Sequence, residues 1–129
     1  MTKAYRIKPE DAVCLKILDY CKANIPILHK SVIKIHNEGL RSVATNVFLL
    51  KLGLRKGASD LFFAIPNKKY AGLFMELKKE KWKMTKSQAA HINNQLEFIS
   101  QMNANGYLAK MVIGADEGIA LLNEYASDL

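Results

Sequence analysis

The sequence predicts an α/β fold in which a mixed central sheet carries helices on its faces, with elements in the order α-β-α-β-β-α-β-α. Three observations predict it. Stretches with apolar residues at helical spacing alternate with short apolar runs of strand length. Two of those runs are joined by the turn Pro66-Asn67-Lys68-Lys69, which makes them a hairpin. Half of the 129 residues are apolar, enough for a core in one domain over residues 1–129.

The elements can be taken in order. Residues 9–23 read as a helix. Pro9 suits a first helical turn, and Cys14, Ile17, Leu18 and Cys21 form one apolar stripe. Extended back by one turn, that stripe reaches Glu10. A carboxylate on a buried face is costly without a partner. In the first turn it also favours the helix dipole and can stay hydrated. Leu28 to Ile35 reads as a strand, and Asn37-Glu38-Gly39 as a turn. Residues 41–52 read as a second helix with Val43, Val47 and Leu50 on one face, ended by Gly53.

Asp60 to Ile65 and Tyr70 to Lys79 are the two hairpin strands. A long helix follows over residues 85–104, opened by Thr85 or Ser87, with a predicted inward stripe of Ile92, Leu96 and Ile99. Tyr107 to Ile113 is a further strand. The last helix spans Asp116 to Ala126, with Ile119, Leu122 and Tyr125 facing in.

The formal net charge is +7, which favours a polyanionic partner such as DNA, RNA or an acidic membrane surface. No apolar run reaches the ~18 residues of a membrane span, and no secretory leader is expected. Cys14 and Cys21 share a helix face, which suits buried thiols rather than a disulfide or a metal clip. An intracellular, cytoplasmic location follows from that.

The chemistry concentrates on the hairpin. Side chains alternate along a strand, so Met75 and Leu77 share one face while Glu76 and Lys78 share the other. Asp60 opens the partner strand, and the hairpin can bring it opposite Glu76. Two carboxylates and a lysine then meet at one end. Glu-x-Lys alone is usually an ordinary solvated pair; the neighbouring Asp60 sets this one apart. Oxygen ligands suit Mg²⁺, which supplies activated water and phosphate polarisation for phosphodiester hydrolysis. A lysine can stabilise the charge that builds in the transition state.

Gln88 lies four residues before Ile92 and so shares the predicted inward stripe. There it can bond a metal water, the lysine or a DNA phosphate, or simply be a satisfied buried amide. Lys78, Lys79, Lys81, Lys83 and Lys86 run from the strand into the next helix, with Trp82 among them. Arg41, Arg55 and Lys56 flank the preceding elements. Such cations give affinity and register on a nucleic-acid backbone. Trp82 either stacks on an unpaired base or packs on the sheet. His29, His36 and His91 lack zinc-ligand spacing, and neither a P-loop nor a serine elbow is present.

In order and spacing, Asn37-Glu38-Gly39-x-Arg41, Gly53-x3-Gly57-x-Ser59-Asp60-Leu61, Met75-Glu76-Leu77-Lys78, Ser87-Gln88 and Gly106 resemble the VRR-NUC (virus-type replication–repair nuclease) family of the PD-(D/E)XK nuclease superfamily. The resemblance covers nearly the whole chain. It implies a restriction-endonuclease-like core and a Mg²⁺-dependent DNA endonuclease in which Mn²⁺ can substitute. It implies that Asp60, Glu76 and the Leu77 carbonyl are metal ligands, with Glu10 as the acid of the first helix. Lys78 would be the catalytic lysine, and Gln88 matches the helix glutamine. Small phage and bacterial members look like homodimeric Holliday-junction resolvases, and larger relatives are DNA-repair nucleases. Branched DNA is therefore the implied substrate. A restriction-type or nonspecific nuclease, or an inactive nucleic-acid-binding relative, are the alternatives. One position departs from the pattern: Ser59 stands where the family usually has proline.

Overall fold

A strand buried on both faces reads as a nearly continuous apolar run, and Leu73-Phe74-Met75-Glu76-Leu77-Lys78 is such a run with two charges in it. In the computed structural model, which describes residues 6–36 and 42–129, all six of these residues are buried. They form β3, and the other elements assemble around them. In chain order these are α1 (Pro9–Asn24), α2 (Pro26–His29), β1 (Val32–Lys34), α3 (Val43–Lys51), β2 (Leu61–Phe63), β3 (Leu73–Lys78), a 3₁₀ turn (Lys86–Gln88), α4 (Ala89–Ala104), β4 (Leu108–Ile113) and α5 (Ala115–Ala126). The Asn37-Glu38-Gly39 turn and Arg41 lie outside the described residues.

The sheet has four strands in the order β1-β2-β3-β4. β1 and β2 pair antiparallel, as do β2 and β3, while β3 and β4 are parallel and joined through α4. The sheet is therefore mixed, as the element order predicts. Alternation along β3 sorts its side chains between two layers. Leu73, Met75 and Leu77 meet Val13, Ile17 and Cys21 of α1 and Leu121, Leu122 and Tyr125 of α5. Phe74 points the other way, into a smaller cluster with Phe98 of α4 and Ala109 of β4. Its ring stacks on Phe62 with centroids 4.3 Å apart. Glu76 and Lys78 follow Phe74 on this second face.

Three local expectations are corrected. Leu28 and His29 are helical, because Pro26 occupies the first position of a turn it is preorganised to start. The strand is thereby shortened to Val32–Lys34. α3 forms and ends at Gly53 in a Schellman motif, with Gly53 at φ +105° and Leu54 N–H donating to the Leu49 carbonyl at 2.9 Å. The face that carries Val43, Val47 and Leu50 is not covered: no α3 residue is buried, and Val43 is 80% exposed. Finally, α4 presents Ile92, Gln95 and Phe98 to the interior, while Leu96 is half exposed.

Candidate active site

Asp60 immediately precedes β2. The pairing of Leu61 with Met75 continues in register to place Asp60 opposite Glu76. The ladder ends there, and the Asp60 side chain takes over from it. Its Oδ2 accepts a hydrogen bond from the Leu77 N–H at 2.7 Å. Its backbone carbonyl accepts from Ile35 N–H at 2.8 Å, tying the residue to the end of β1. Lys34 Nζ lies 3.7 Å from Asp60 Oδ1. The carboxylate is thus held in place by three strands. Along an extended strand the N–H and C=O of one residue point to the same side. The Leu77 carbonyl therefore faces the Asp60 edge too.

Glu76 is 3% exposed. Burial pushes its carboxyl up to about 10; the hydrogen bond with Asp60 and the Asp60 charge add to this, Lys78 opposes it, and Glu10 adds a smaller push. Without a cation, this acid retains its proton at neutral pH. A proton between two carboxylates marks a place where positive charge is wanted, and an all-oxygen donor set fits a hard divalent cation. The ligands on offer are Asp60, Glu76 and the Leu77 carbonyl. Among the described residues no three His, Cys, Asp or Glu side chains converge as one ligand set. Glu10, at the start of α1, is within electrostatic range of Glu76 and does not complete such a set.

Lys78 is 4% exposed. Its Nζ donates to Gln95 Oε1 at 2.8 Å and lies 5.1 Å from the centre of the Trp82 ring. Trp82 is half-buried against the lysine. Gln88 is not on the inward face. It is exposed, and its Oε1 accepts from the Thr85 N–H at 3.2 Å, one half of a capping box. The buried glutamine is Gln95, two turns further along. Sequence reasoning missed it because a glutamine between Ile92 and Phe98 adds nothing to an apolar stripe; the usable signal was Lys78, a buried cation in need of an acceptor.

Gly57 joins the two halves of the site. At φ +79° it lies so close to α4 that a Cβ would be 2.4 Å from the carbonyl group of Asn94 and 2.7 Å from the Gln95 nitrogen. Only glycine lets the loop before Asp60 rest on α4 at the turn that carries Gln95. Lys56, Lys79, Lys81, Lys83 and Lys86 are exposed near this end. Arg55 instead packs over Phe98, 5.7 Å from the ring centre, and bonds Gln101 at 3.1 Å.

No protein-family model and no curated protein matches the chain. A solved structure described as "VRR_NUC domain protein" does match, with a TM-score of 0.75, covering 96% of this chain and 93% of that one at 21% identity. The chain has the fold of a VRR_NUC domain protein. The fold expected from the sequence resemblance, a mixed sheet of the restriction-endonuclease-like type, is the one adopted. On this VRR_NUC-like fold, Asp60, Glu76 and Lys78 stand together at one end of the hairpin. Ser59, at the position where the resemblance expects proline, is fully buried, and its hydroxyl has no partner among the described residues. Among the described residues no helix is long and apolar enough to cross a membrane.

Proposed function

We propose that the chain is a divalent-cation-dependent DNA endonuclease that acts on branched DNA, in the manner of a Holliday-junction resolvase. One observation carries this reading. On a VRR_NUC-like fold, a buried glutamate lies beside an aspartate whose only ion pair among the described residues is with the partly exposed Lys34, and a buried lysine stands next to them. A buried carboxyl beside a second one is expensive to keep, and structural need alone gives no reason to place the pair at a strand end.

The roles follow from position. Asp60 and Glu76, with the Leu77 carbonyl, hold Mg²⁺ or Mn²⁺. A cation bound there supplies the Lewis acidity that phosphodiester hydrolysis needs. Lys78 presents an ammonium on the Glu76 face, where it stabilises negative charge gathering on the phosphate. The exposed Lys56, Lys79, Lys81, Lys83 and Lys86 bind the DNA backbone without reading its sequence. A homodimer would supply the two symmetric cuts that resolving a four-way junction takes.

A cleavage panel tests this. Four-way junction, flap and plain duplex are each incubated with Mg²⁺, Mn²⁺ or chelator. Junction cleavage that needs the cation, is lost in Glu76→Ala and falls sharply but measurably in Lys78→Ala is the expected result. Equal rates on plain duplex point instead to a nonspecific nuclease. Cutting unchanged in both variants overturns the site.

A further inference from the structure

Burying an ammonium is tolerable only where its donors find acceptors. Among the described residues Lys78 meets this condition through one side chain: Nζ donates to Gln95 Oε1 at 2.8 Å. Gln95 is itself buried, at 6% exposure. The other end of its carboxamide, Nε2, lies 3.1 Å from Nε2 of His91, one turn earlier on α4. A lysine ammonium has only donors, so the oxygen of Gln95 faces Lys78. The amide nitrogen therefore faces His91, and His91 Nε2 accepts while its ring proton sits on Nδ1. The direction of every bond in this series is thus set by the charge on Lys78.

We propose that Gln95 is a positioning residue for Lys78, and that His91 in turn positions Gln95. The consequence for catalysis rests on the nuclease reading above. A lysine is a flexible stem carrying a compact point charge. Beside a phosphate it helps most when that charge is already where negative charge develops. Gln95 binds one of the ammonium hydrogens and Trp82 covers it from the side, at 5.1 Å from the ring centre. Among the described residues the ammonium has no other hydrogen-bond acceptor, so in this proposal its remaining hydrogens serve the substrate. Gly57 adds to the arrangement, because the Asp60 loop rests on the backbone of Asn94 and Gln95. The glutamine that holds the lysine and the loop that holds the aspartate therefore share one turn of α4.

The test uses the whole chain. Gln95→Leu lowers the single-turnover rate of DNA cleavage by roughly 10- to 100-fold, with KM for DNA changed less than about twofold. His91→Ala, at an exposed position, gives a smaller loss of the same kind. In a Lys78→Ala background Gln95→Leu has little further effect, since its contribution passes through Lys78. Equal losses in both backgrounds overturn the proposal. A second readout needs no DNA. In ¹H–¹⁵N spectra of the lysine ammonium groups, Lys78 gives a slowly exchanging signal in the wild type and loses it in Gln95→Leu. A wild-type chain without that signal overturns the positioning role. A chain that shows the signal and cuts no DNA overturns the nuclease reading alone.

Discussion

The side chain of Asp60 accepts the Leu77 N–H at 2.7 Å, continuing the β2–β3 ladder one position past its last backbone pair. Under the proposed function Asp60 also holds the cation, and two substitutions separate that role from the hydrogen bond. Asp60→Asn keeps an oxygen for the Leu77 N–H but weakens cation binding. We expect cleavage to fall by about 100-fold or more with the melting temperature nearly unchanged. Asp60→Ala also leaves the N–H without its acceptor, at a cost of about 1–3 kcal/mol. Its melting temperature should drop clearly below that of Asp60→Asn. Parallel melting curves and rates on the two variants decide this, and identical melting temperatures would show that the hydrogen bond does not matter.

Glu76 makes stability depend on pH with an unusual sign. Its carboxyl sits at about 10 in the folded chain, against 4.5 as the ordinary value. Between those values the folded state holds a proton that the unfolded state has released. Stability contributed by this group is therefore fully present below pH 4.5 and declines as pH rises toward 10. In chelator, Glu76→Gln should remove this group's share of the decline. A divalent cation should also remove it, by replacing the proton. The check is a set of melting temperatures from pH 5 to 9 with and without Mn²⁺. A wild-type slope unaltered by both Glu76→Gln and the cation would count against a cation site here.

How much of this site was legible follows from its residues. Asp60, Glu76 and Lys78 could be read because strand alternation and hairpin register are geometric rules that tolerate few alternatives. Leu28 and His29 read as strand because a short apolar run looks the same in a strand and in a buried helical turn. Pro26 decides for the helix. α4 carries two candidate stripes. Ile92-Leu96-Ile99 and Ile92-Gln95-Phe98 both obey helical spacing, and the first scores higher on apolarity. The second lies inside because Phe98 meets the Phe74 ring, 5.3 Å between centroids, and Gln95 meets Lys78. Neither contact has a local signature.

Ser59 bears on the one departure from the family pattern. Its hydroxyl is fully buried and has no partner among the described residues. An unmade hydrogen bond there costs about 1–3 kcal/mol. Ser59→Ala removes the polar atom and leaves the backbone alone. The variant should melt at a higher temperature and cut at the wild-type rate, because the Ser59 hydroxyl makes no hydrogen bond to Asp60, Glu76 or Lys78. A lower melting temperature would reveal a partner for the hydroxyl.

Gln88 and Gln95 give the last prediction, because Gln95 and not Gln88 bonds the buried Lys78. Gln88 is exposed, and its Oε1 serves the Thr85 N–H at 3.2 Å. Losing a cap of this kind costs about 1 kcal/mol. Gln88→Ala should therefore lower the melting temperature while changing the cleavage rate only a few-fold. Gln88→Glu supplies the other residue common in capping boxes and should recover the lost stability. Gln95→Leu behaves in the opposite way, with a large effect on rate. A Gln88→Ala rate as low as that of Gln95→Leu, in a chain that melts normally, would return Gln88 to the active site. In that event its capping bond must open when DNA binds, since its Oε1 otherwise remains committed to Thr85.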